Sequence, residues 1–124
     1  MADTPRDILW GDNRAAIERS LEQLDSDLAE LIFNVAYDSV LARPTLDLRT
    51  RELLAITALL SSGGESELKT HMRGALNCGA SLDELKETVL QASIFLGFPR
   101  ALAGMRALQS VRDTLERVTH VESE

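Results

Sequence analysis

Apolar positions recur at intervals of three and four along most of the chain, the signature of helices that turn one face to a core. The first such stretch runs from Asp12, a suitable N-cap, to about Leu24. Asp25 or Ser26 opens a second, in which Leu28, Leu31, Val35 and Tyr37 or Ser39 roughly keep the spacing. Pro44 stops it, because the residue before a proline is driven out of the α region. The next stretch is apolar on nearly every side: Leu53 to Leu60 reads LLAITALL, so this helix is expected to be buried all round. Asp47 is its predicted cap and Ser61-Ser62-Gly63-Gly64 its stop.

Another helix begins at once, with Glu65 and Glu67 in the first turn, where the helix dipole favours carboxylates, and ends at Gly79. The two form a tight αα-hairpin. Ser81-Leu82-Asp83-Glu84 is a capping box, followed by Leu82, Leu85, Val89, Ala92 and Leu96 at helical spacing up to Gly97. Pro99 suits the first turn of a last helix carrying Leu102, Met105, Leu108, Leu115 and Val118. The pattern thus predicts an all-α, single-domain helical bundle of about six helices around a central αα-hairpin. The domain spans residues 1–124, with its core over 25–118 and a frayed tail over 119–124.

Composition narrows the partners. The 124 residues carry 13 basic and 20 acidic side chains, a net charge of −7, which argues against nucleic acid and anionic membranes as partners. One cysteine, Cys78, excludes an internal disulfide and any Cys-x-x-Cys redox or zinc site. The N-terminus lacks the basic region and apolar core of a signal peptide, so a soluble, cytoplasmic protein is expected. Phosphate-binding glycine loops, Gly-x-Ser-x-Gly and His-Glu-x-x-His are missing from the sequence.

Candidate chemistry centres on the hairpin. Glu67 and His71 are four apart and share a helical face with Gly74 and Cys78. A carboxylate beside an imidazole raises its basicity and fixes its orientation, as proton transfer near neutral pH requires. Glu52 is a second acidic candidate: counted from the Gly63-Gly64 turn, it is offset from His71 by roughly 6 Å along the helix axes, close enough for contact across the hairpin. Dipole compensation in the first turn of its own helix explains Glu52 equally well. Arg43, Arg49 and Arg51 gather around the Pro44 turn, where guanidinium groups either bind a carboxylate ligand or pair with local acids. Cys78 is read either as a nucleophile or as a small apolar residue.

Arg43-Pro44, Arg49-Thr50-Arg51 leading into LLAITALL, then ELKTHMRGALNCGAS and LDELKETVLQASIFLGFP together resemble the carboxymuconolactone decarboxylase family, within the alkyl hydroperoxidase D-like superfamily. The resemblance covers about Ala42 to Ala107. It implies an alkyl hydroperoxidase D-like helical fold and removal of CO₂ from 4-carboxymuconolactone, without a cofactor or metal, in aromatic-compound breakdown. It also implies a homo-oligomer, a hexamer or else a trimer, with sites near subunit contacts. On that reading His71 transfers the proton, Glu67 orients it, Arg43 and Arg51 bind substrate carboxylates, and Glu52 and Cys78 are possible supports. The peroxidase branch of the superfamily carries a Cys-x-x-Cys pair seven and four residues before its histidine; Gly64 and Glu67 stand there in this chain. Two other functions stay open: a peroxidase-related protein using Cys78 with His71, and a non-catalytic helical oligomer that binds a small acid or a partner protein.

Overall fold

The computed structural model describes residues 3–123, with side chains described through Thr119. Among these residues every regular element is helical and there is no strand. The elements are α1 (Pro5–Trp10), α2 (Arg14–Leu24), α3 (Ser26–Leu31), α4 (Leu48–Ser62), α5 (Glu65–Asn77), α6 (Leu82–Leu96) and α7 (Phe98–Ser123). A 3₁₀ turn (Gly11–Asn13) joins α1 to α2, and α3 passes directly into a π-helical stretch (Ile32–Val40).

Several helix starts lie where the pattern places them. The Asp25 carboxylate accepts from Leu28 N at 2.8 Å, Asp47 from Thr50 N at 2.8 Å, and Ser81 with Glu84 closes a reciprocal box. Asp12 departs from expectation: it sits in the 3₁₀ turn, and α2 begins beyond it without a side-chain cap. Helix α1 was not anticipated. Thr4 and Asp7 cap it reciprocally, and Pro5 occupies its first turn, where a missing N–H costs nothing. The helix that Pro44 was expected to end stops at Val40, and α7 stays helical to Ser123, past the expected start of fraying. Glu124 lies outside the described residues.

Two apolar clusters hold the fold. The larger joins α4 to α7 through Ile56, Leu60, Met72, Leu85, Val89, Leu108 and Val111. Gly104 permits the closest approach: a Cβ there would lie 2.6 Å from Leu60 and 3.1 Å from Val89, so α7 settles against both neighbours only without a side chain. The smaller cluster seats Leu9, Trp10 and Tyr37 against Ile17, Leu21, Ile32, Phe33 and Leu41, which joins α1, α2 and the π-helical stretch, and α1 in turn packs on α5. Asn77 Nδ2 donates to Leu9 O at 2.8 Å and pins α1 to the end of α5. Among the described residues no helix is long and apolar enough to cross a membrane.

Candidate active site

The α4–α5 hairpin places Glu52 opposite His71. Glu52 is 1% exposed, the sole buried charged side chain among the described residues, and its Oε2 lies 2.7 Å from His71 Nδ1. A carboxylate accepts and does not donate, so Nδ1–H is the donor and Nε2 is left for other chemistry. Nε2 has no hydrogen-bond partner among the described residues, and His71 borders an open groove of about 1150 Å³. The other carboxylate oxygen, Glu52 Oε1, is shut from solvent and unpaired. Gly74 makes room for this arrangement: a Cβ there would lie 3.4 Å from Glu52 Oε2 and 3.6 Å from Leu9.

The partner of His71 is therefore Glu52, across the hairpin, and Glu67 does not take that place. Glu67 borders the same groove but is exposed, and its carboxylate turns back toward its own helix start, where a Cβ on Gly64 would meet Oε2 at 2.6 Å. The dipole and the free N–H groups at that end of α5 explain the direction.

Neither Arg43 nor Arg51 borders the groove. Arg51 donates from Nε to Leu46 O at 3.0 Å and from Nη2 to Arg43 O at 3.2 Å, tying together the turn before α4. Arg49 pairs with Glu84 of α6. These guanidiniums brace a corner of the fold. Among the described groove residues, the basic side chain besides His71 is Arg73, which has no carboxylate within ion-pair distance. Its position was readable in the stripe Ser66, Thr70, Arg73, Asn77, which adjoins the stripe of His71 on α5 and also borders the groove.

Cys78 lies outside the groove lining, in the smaller apolar cluster, with its thiol directed at Ala75 O at 3.4 Å. Burial, and after it the charge of Glu52, pushes the thiol up from its ordinary range. Both effects reduce the thiolate fraction on which nucleophilic chemistry depends. Tyr37 feels the same carboxylate. Burial first, then Glu52, raises its phenol to about 12, so the hydroxyl keeps its proton at any physiological pH.

A profile of the carboxymuconolactone decarboxylase family matches residues 26–110. The chain belongs to that family. It is 39% identical over 98 residues to the 4-carboxymuconolactone decarboxylase of Acinetobacter baylyi, covering 77% of this chain and 73% of the relative. Over 89 residues it is 34% identical to the nitrosuccinic acid decarboxylase of Metarhizium robertsii, covering 71% and 62%. An uncharacterised 15.0 kDa protein of Paracoccus denitrificans is 34% identical over 98 residues, covering 77% and 70%. The match begins at Ser26, earlier than the motifs around Arg43, so the π-helical stretch with Tyr37 belongs to the family region.

Proposed function

We propose that this member of the carboxymuconolactone decarboxylase family is a cofactor-free decarboxylase of a carboxylated lactone or a related small acid. The observation that carries the reading is the 2.7 Å bond between a buried carboxylate and an imidazole that borders a groove. Loss of CO₂ breaks a C–C bond and leaves its electron pair on the remaining skeleton. In a carboxylated lactone that pair passes through the ring double bond to the carbonyl oxygen, and a proton then adds to carbon. His71 Nε2 is the proton carrier in this scheme, reprotonated from solvent, while Glu52 fixes the tautomer and offsets the imidazolium charge. Arg73 is the cation that holds a substrate carboxylate. Two named relatives act on different acids under the same reaction name, which supports decarboxylation over any one substrate.

The Cys78 alternative is disfavoured by a thiol that is half-buried, raised and away from the groove. Self-association belongs to the proposal: Ile94, Phe95 and Phe98 are 72%, 75% and 74% exposed at the α6–α7 corner, far more apolar surface than a lone small domain usually leaves there. The test is to supply purified protein with 4-carboxymuconolactone and follow loss of its absorbance together with CO₂ release. Turnover by the wild type and none by His71→Ala is expected. Equal turnover by His71→Ala removes the histidine from the mechanism, and no turnover by the wild type removes this substrate. Cys78→Ser retains activity, and the wild-type thiol stays unmodified by peroxide.

A further inference from the structure

The π-helical stretch adds a tyrosine to the lining of the groove. Tyr37 is 6% exposed, its ring is packed 4.5 Å from Trp10 at 53°, and Trp10 in turn stands edge-on to Phe33. The side chain is therefore held in one place by aromatic neighbours on α1 and on its own helix. The Trp10 indole N–H stands beside the Tyr37 oxygen as a donor, and no described acceptor takes the hydroxyl's own proton, which is unusual for a buried tyrosine. Among the described residues, the fully enclosed, unpaired side-chain atoms are Arg6 Nε and Glu52 Oε1, and the Tyr37 oxygen is not one of them. Tyr37 itself borders the groove. π-Helical turns cost backbone stability and recur where a side chain must be re-aimed at a site.

We propose that the Tyr37 hydroxyl donates a hydrogen bond to the substrate oxygen that becomes negative as CO₂ departs. This rests on the decarboxylase reading. The step balances without a further reagent: the bond to the departing carboxylate breaks, its electron pair moves to the acceptor oxygen, and Tyr37 keeps its proton while stabilising that charge. His71 then supplies the proton that carbon takes up. A neutral donor suits this role because it neither titrates nor competes with Glu52 for the imidazole. The substrate class follows: an acid whose departing carboxylate is conjugated to an oxygen that can hold charge, such as the carbonyl of a lactone.

The test uses Tyr37→Phe in the full chain, with two readouts. In turnover of 4-carboxymuconolactone, kcat falls about 100-fold or more, the loss typical of a missing oxyanion donor, while KM moves less than about threefold. The pH at which activity rises and falls stays in place, since the imidazole and Glu52 are untouched; a displaced profile would instead assign the hydroxyl to positioning Glu52 and overturn the proposal. The second readout needs no turnover: calorimetric binding of the tetronate anion, a flat five-membered lactone enolate, against its neutral O-methyl ether. Tyr37→Phe weakens tetronate binding about tenfold or more and leaves the ether unchanged, as loss of one hydrogen bond to a charged group requires. Equal tetronate binding by both proteins overturns the inference. A wild type that binds tetronate through Tyr37 but turns over no lactone acid removes the decarboxylase reading and keeps the oxyanion site.

Discussion

Replacing Glu52 by Gln separates what this carboxylate does for the fold from what it does for the imidazole. The side chain is 1% exposed, one oxygen is bonded to His71 and the other is unpaired. Removing the charge relieves a desolvation penalty of several kcal/mol, since a buried ion holding one partner is poorly compensated. It also weakens a charge-assisted hydrogen bond of about 1.5–3 kcal/mol to a neutral one of about 1 kcal/mol. The Gln amide NH₂ inherits the unpaired position of Oε1, a further cost of about 1–3 kcal/mol. These terms oppose one another, so net stability changes by about 1 kcal/mol, or a Tm shift within roughly 4 °C for a domain of this size. Catalysis has no such compensation. Gln keeps the shape but cannot offset an imidazolium, and kcat falls about 100-fold or more, in line with a disabled acid–base pair. Glu52→Ala adds an empty space beside Gly74 and Leu9 and costs about 2–4 kcal/mol in addition to activity. Thermal unfolding and steady-state turnover on the same preparations read both. A folded Glu52→Gln protein with kcat within threefold of wild type refutes the role given to this pair.

Glu67→Gln keeps kcat within about threefold, because the Glu67 carboxylate faces its own helix start and not His71; a 100-fold loss would restore it as the histidine's partner. The Tyr37 phenol, raised to about 12 from an ordinary 10, binds its proton more tightly folded than unfolded. Its contribution is complete below pH 10 and is lost as pH climbs toward 12; urea unfolding at pH 11.5 should show wild type losing about 2 kcal/mol more than Tyr37→Phe relative to pH 9. Phe95→Glu, on the exposed α6–α7 corner, shifts the protein to a smaller species in size-exclusion chromatography with light scattering; an unchanged mass refutes assembly through that corner.

The helices of the second half were legible because their start and stop signals are local. Asp47, Ser81 with Glu84, and Gly97 each act within a few residues of where they stand, so periodicity and capping place α4 and α6 directly. Helix α1 had the same kind of signal, Thr4-Pro5 with Asp7, and was missed because only six residues follow it, too few for a hydrophobic period. The π-helical stretch has no comparable mark: the packing of Tyr37 and Phe33 around Trp10 that accompanies it is a contact across more than twenty residues, out of reach of local spacing.

The site was half legible for the same physical reason. Spacing along α5 suggests that Glu67 and His71 meet, yet spacing fixes only which face a residue occupies, and the side chain then chooses among partners on that face. For Glu67 the choice is the positive end of its own helix beside Gly64, available to an exposed carboxylate at little cost. Glu52 lacks that freedom. Shut in on the inward face of α4, a charge requires a partner, and the hairpin offsets that bring His71 within reach supply it at 2.7 Å. Arg51 shows the opposite case: a side chain drawn to ligand carboxylates in the abstract finds backbone carbonyls at Arg43 and Leu46 first and is spent on the turn. Burial, more than helical spacing, therefore decides which acid and which base meet in this fold, and the groove-facing Arg73 and Tyr37 became visible only once the first helices closed over α5.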